Sequence, residues 1–484
     1  MSNTRLNTPS VTLYAFHWSD EISQNSQEVA GNVDHLWQRC VALGKHLQIP
    51  ALQSLPNELL EEKNHLDEFT GDKAEYFPLL NQANKSDKEP FLRLKSESQP
   101  DLLEIIGEIY PLKIQDTDAV DLTLRYGETV EIDQLGRFNS KGCLLPHFIQ
   151  ASIGQTLLIF AELSDNTDDY KTLANACIEA FLKDAEKTSV SLIAEGQLFG
   201  SPIFEYNTGS ENPADQCHIL VWFDCYPTTL NLGEQAYHSI FILLYCRHKI
   251  LFATEQARLC YQKARELYIE LNQKADDFAT SQEETLEDLK QRLKQIPTSA
   301  FQYNKLLHDI DDYNTTIVTI TEKYFSKLEE IRAHSLPEDK LDFLENFCNR
   351  TKELQNQIQI DLRYLQPGKQ LFDQMIEAIR VIIEINAQEQ AKDYEEAEKE
   401  RDRNLKIWVA VVAAGFAVSV VSSAVNPRPI ESILNQPHPD GIKPWPVMGL
   451  TYSALDIVLH LCLGLALALL LRPLIARLVP KSRN

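Results

Sequence analysis

The 484-residue chain has no two cysteines at Cys-x-x-Cys spacing, and its nine cysteines are scattered and odd in number. That argues against a zinc framework or a disulfide framework and leaves free thiols in a reducing compartment. Positive charge is in short supply: 46 basic residues face 70 acidic ones, for a formal net charge of -24. Such a surface repels polyanions, so no direct nucleic-acid partner is expected. The opening MSNTRLNTPSVTLYAF lacks an apolar signal core, which is expected to leave the front of the chain in the cytosol. No Gly-x-x-x-x-Gly-Lys-Ser/Thr loop occurs, and ALGKH around Lys45 lacks both ends of one. Gly-x-Gly-x-x-Gly, His-Glu-x-x-His and Gly-x-Ser-x-Gly are missing too. Cys217 and His218 are adjacent, so on a strand they face opposite sides and form no dyad. The expectation is therefore no enzyme, no catalytic residue and no identified cofactor; a divalent cation is the ion class left open, with its ligands unknown.

What is present divides into a mixed front and a helical back. At about 100 to 200 residues per domain the length predicts two or three units. Residues 1–232 read as an α/β domain with a mixed sheet. VTLYAFHW, LLIFAEL, SVSLIAEGQLF, SPIFEYN and CHILVWFD are β-forming runs, and Gly200-Ser201-Pro202 is a turn. DDYKTLANACIEAFLKDAEK repeats its apolar residues at helical spacing, a second helix is expected over 27–47, and AVDLTLRYGETVEIDQLGRF reads as a hairpin near Gly127. The polar stretch 50–100 is expected to be an insertion.

Residues 233–368 read as helical, with breaks at Pro297 and at Pro367-Gly368 and with Ser335 capping a new helix. Residues 369–406 are expected to form a coiled-coil-like stalk: Leu371, Phe372, Met375, Ile376, Ile379, Ile382 and Ile383 make one apolar face. A polar neck follows, in which Asp393, Glu395, Glu396, Glu398 and Glu400 are either a solvated face or, repeated in an oligomer, a ring that concentrates cations.

Two apolar runs then suggest a C-terminal transmembrane hairpin. Residues 407–425 carry no charge, and a helix of that length crosses a hydrocarbon core about 30 Å thick. Residues 426–446 form an outer loop, 447–471 a second span, and 472–484 a basic tail. Basic residues flank the hairpin on both outer sides, which is expected to leave both termini on the cytoplasmic side of the membrane. Gly415, Ser419, Ser422 and Ser423 offer a small, hydroxyl-bearing face, for helix packing or for lining a pore. Asp456 and His460 lie one turn apart inside the second span, where an ionisable group costs about 2.5 to 3.5 kcal/mol and must face protein or water.

This order of α/β domain, long helices, one helix entering the membrane, short outer loop, second span and basic tail resembles the CorA-type magnesium-channel superfamily. The resemblance covers most of the chain in layout, not in motif. The family's Gly-Met-Asn is absent, SSAVNPRP stands in its place, and no filter residue is carried over. The resemblance implies a homo-oligomer, a pentamer by the family's rule, whose first span lines the axis. It also implies a prokaryotic inner membrane, with lipid as a partner, and allows a small-molecule or protein activator, as in effectors of prokaryotic signalling and defence systems. The leading expectation is thus an oligomeric channel- or transporter-like protein with a ligand-sensing domain. The alternative is a non-conducting anchored sensor or scaffold that binds a protein partner through its helices.

Overall fold

The computed structural model describes residues 5–19, 34–60, 75–81, 90–98, 103–163, 169–185, 188–210, 212–280 and 286–392. The chain forms two compact units, Met1–Arg258 with Asp312–Gln359, and Leu259–Asp311 with Ile360–Asn484.

The first unit is built on a ten-stranded mixed sheet. Its strands are β1 (Arg5–Trp18), β2 (Phe77–Pro78), β3 (Leu92–Lys95), β4 (Ile106–Ile114), β5 (Thr117–Arg125), β6 (Val130–Glu131), β7 (Gly154–Glu162), β8 (Ser191–Leu198), β9 (Ser201–Asn207) and β10 (His218–Asp224). They lie in the order β2-β4-β5-β1-β7-β10-β9-β8, with β3 beside β4 and β6 beside β1. Only β7 and β10 run parallel among the described pairs. The helices are α1 (His35–Leu47), α2 (Pro50–Gln53), α3 (Leu135–Phe138), α4 (Pro146–Ile149), α5 (Tyr170–Leu182), and the long α6 (Thr229–Thr280), α7 (Leu286–His334) and α8 (Asp342–Lys392).

Strand periodicity sends alternate side chains to opposite faces. Val11, Leu13, Ala15, Val120, Leu122, Leu157, Ile159, Ile219 and Val221 join one core with Leu36, Trp37, Cys40 and Leu43 of α1 and Ala174, Cys177 and Phe181 of α5. Asp169 starts α5 by accepting a hydrogen bond from the Thr172 backbone at 2.9 Å. The opposite face meets α6, where Phe241 packs on Tyr14 and Phe16 at ring separations of 5.9 and 5.8 Å.

The β8–β9 turn is a two-residue hairpin in which Phe199 and Gly200 both have positive φ, 53° and 86°. Such a turn matches the strand twist but strains any residue bearing a Cβ. Asp339, between α7 and α8, holds it. Its carboxylate accepts from the backbone N–H groups of Phe199 (2.7 Å), Gly200 (2.8 Å) and Leu336 (2.8 Å). Asp339→Ala is expected to cost about 2 to 3 kcal/mol in urea unfolding, because these donors lose a charged acceptor; Asp339→Asn should cost less.

In the second unit, the ends of the three long helices pack around Tyr303, whose ring lies 5.3 Å from Phe372 and whose hydroxyl donates to the Leu365 carbonyl at 2.5 Å. Leu371, Phe372, Met375, Ile379 and Ile382 of the expected stripe are buried there.

Several expectations need correction. β5 does not form a hairpin across Gly127. It pairs with β4, while β6 pairs with β1. Pro111 inside β4 hid that strand, since proline argues against a ladder position; here its carbonyl accepts from Leu79 instead. Pro297 and Pro367 do not end helices but lie within α7 and α8. Ser335 does not cap a new helix: its hydroxyl donates back to the Ile331 carbonyl at 2.9 Å, and α8 starts at Asp342.

The largest correction concerns the transmembrane hairpin. Among the described residues no helix is long and apolar enough to cross a membrane. The long helices α6, α7 and α8 all carry frequent charged residues, and even the apolar run of α6 is cut by Arg247-His248-Lys249. The hairpin in the fold class, the reading as a membrane protein, channel and ion transporter, and the inner-membrane placement are therefore withdrawn. Residues 407–425, 426–446, 447–471 and 472–484, on which they rested, lie outside the described residues.

Candidate functional site

The described structure does not reach the residues singled out from sequence. Asp393, Glu395, Glu396, Glu398, Glu400, Gly415, Ser419, Ser422, Ser423, Asp456 and His460 all lie outside the described residues. The structure instead places two polar constellations on the α6 face of the sheet, both inside the first unit.

The first is closed. His218 of β10, Thr156 of β7, Glu205 of β9 and Arg247 and His248 of α6 are all buried. Thr156 Oγ1 lies 2.8 Å from His218 Nδ1 and 2.7 Å from His248 Nε2, and His218 Nε2 lies 2.9 Å from Glu205 Oε1. Burial lowers the pKa of both histidines, and the nearby Arg247 charge adds to it, so both are neutral at pH 7. One proton arrangement then satisfies the chain: His248 Nε2–H donates to Thr156, Thr156 donates to His218 Nδ1, and His218 Nε2–H donates to Glu205. It leaves His248 Nδ1 as a bare acceptor, the atom without a partner. Gly154 permits this packing, since a Cβ there would stand 2.5 Å from that nitrogen. Burial raises the pKa of Glu205, but His218 and Arg247 (Nη2 at 3.1 Å) outweigh it and hold the group below its ordinary value. Hydroxyl, imidazole and carboxylate are the groups of a nucleophilic relay. Yet none of the three lines the cavity described next. The network ties β7, β9 and β10 to α6.

The second constellation is open. A cavity of about 460 Å³ lies between the sheet and α6, within the range of small-molecule sites. Its sheet side carries Thr12 and Tyr14 of β1, Glu108 and Tyr110 of β4, Asp121 and Thr123 of β5, and Trp222 of β10. Its helix side carries Leu230, Glu234, Tyr237 and Ile240 of α6, Ile331 of α7, and Phe343 and Leu344 of α8. Leu230 and Glu234 are exposed and mark the mouth, whereas Tyr14, Asp121 and Trp222 are buried.

At the floor, the Tyr237 hydroxyl donates to Asp121, and Thr12 and Thr123 share a hydrogen bond of 2.8 Å. Burial pushes the Asp121 carboxyl up to about 7; the Tyr237 hydrogen bond opposes the shift and the Glu108 charge adds to it. Burial and the Asp121 charge also raise the phenols of Tyr14 and Tyr237. The Trp222 indole packs on Phe160 at 5.3 Å and Phe199 at 5.9 Å, and its buried N–H has no hydrogen-bond partner.

This site was missed in the sequence because it is assembled from alternate positions of distant strands. The available signal was Asp121 within AVDLTLR, an acid at a position that strand alternation places on the same face as Thr123. Among the described residues no group of three or more potential metal ligands is gathered together.

No family model, curated protein or solved structure matches this chain, so comparison neither supports nor opposes the layout resemblance to the CorA-type superfamily.

Proposed function

We propose that the first unit is a ligand-sensing domain whose cavity takes a small organic molecule and whose long helices report its occupancy. The observation that carries this reading is the makeup of the cavity wall. The sheet supplies most of the polar groups, while α6, with Glu234 and Tyr237, and α7 and α8 each contribute side chains to the other side. A ligand there touches a rigid platform and the first-unit parts of three helices at once. It favours whichever helix arrangement it contacts better, and that differential affinity is all a switch needs.

Hydrogen exchange on the full chain, with and without a ligand identified by thermal shift, tests the proposal. Protection should rise in residues 229–244 of α6 and in 331–344. A stabilising ligand that protects the α1 and α5 side of the sheet and leaves those segments unchanged would place sensing elsewhere and sink the proposal.

A further inference from the structure

Taking the cavity as the ligand site, we infer that its ligand is an organic cation with an aromatic or apolar body, its charge against Asp121 and its body among Tyr14, Tyr237 and Trp222.

Among the described residues Asp121 has no counter-charge. Three acids are buried among the described residues: Asp118, Asp121 and Glu205. Asp118 pairs with Lys113 at 3.0 Å, and Glu205 pairs with Arg247 and His218. Asp121 is held by a neutral phenol, with Tyr14 and Tyr76 as its other ionisable neighbours and with the Glu108 charge acting on it. Among the described residues no lysine, arginine or histidine lines the cavity. Buried carboxylates are normally paired, so a cation is the partner this one lacks.

The wall also carries charge of one sign. Among the described residues Glu108, Asp121 and Glu234 line the cavity with no compensating base, which disfavours phosphates and carboxylates as ligands. Much of the lining is aromatic. Tyrosine and tryptophan faces attract ammonium groups and cover apolar bodies.

Three probes with nearly the same body separate these ideas: tyramine as the cation, tyrosol as its neutral counterpart, and 4-hydroxyphenylacetate as the anion. Calorimetry on the full chain at pH 7.5 should find tyramine bound at least about tenfold more tightly than the other two, the size of one hydrogen bond to a charged group. Asp121→Asn, checked for folding by circular dichroism, should remove that preference. Tyr237→Phe, which keeps the carboxylate, should retain it. Glu234→Gln at the exposed mouth should change binding less than about threefold, because solvent screens that charge. Equal binding of tyramine and tyrosol overturns the cation and leaves the cavity standing as a ligand site. A tyramine preference that survives in Asp121→Asn overturns the assignment to this carboxylate. Failure of tyramine to bind at millimolar concentration, when another ligand does protect α6, overturns the inference alone.

Discussion

At pH 8, Asp121→Asn is expected to stabilise the first unit by about 2 to 4 kcal/mol, and at pH 4 to change it little. In the unfolded chain the carboxyl ionises near its ordinary value of 3.8, and in the fold at about 7. Between those values the folded chain holds a proton that the unfolded chain has lost. Stability therefore falls as pH rises from about 4 to 7 and stays lowered above that. Asparagine removes this slope and keeps an oxygen for the Tyr237 hydroxyl. Urea unfolding of both proteins from pH 4 to pH 8 measures the effect. Parallel stability curves would show that burial does not shift Asp121. A stabilising substitution at a buried natural residue is the pattern expected where a site trades stability for function.

The opposite outcome is expected at the closed network. Arg247→Met should cost about 3 to 5 kcal/mol, because Glu205 is left buried with neutral His218 as its remaining partner. Arg247 also lies 4.8 Å from the centre of the Phe347 ring, so an aromatic contact goes with the charge. Adding Glu205→Gln to Arg247→Met should recover at least about 1.5 kcal/mol, since the uncompensated acid has then been removed. If the double variant is no more stable than Arg247→Met, the loss came from packing and not from the orphaned carboxylate.

These two acids show what sequence could and could not reveal. The strands around them were legible, because VTLYAFHW, LLIFAEL, SPIFEYN and CHILVWFD each hold a β-forming run that became β1, β7, β9 or β10. The stripe Leu371–Ile382 was legible for the same reason, a periodicity that survives in the buried face of α8. What was not legible depends on long-range pairing. Asp121 and Glu108 lie on adjacent strands only because β4 and β5 form the hairpin, with Glu108 opposite Thr123, and Pro111 disguised β4. Tyr237 reaches Asp121 from 116 residues away. Pro297 and Pro367 read as breaks by local rule, yet α7 and α8 continue through them. The hydropathy of the chain's end drew attention to Asp456 and His460, which lie outside the described residues.

The central claim is that the Asp121 carboxylate receives the positive charge of a small organic ligand. Proton release on binding tests it most directly. With its carboxyl raised to about 7, Asp121 holds a proton part of the time at pH 7, and a bound cation should ionise it, releasing a fraction of a proton per tyramine. Calorimetry in buffers of different ionisation enthalpy should then give binding heats that vary from buffer to buffer, and Asp121→Asn should abolish that variation. Tyramine heats that are the same in every buffer, with tyrosol bound equally well, would contradict the claim.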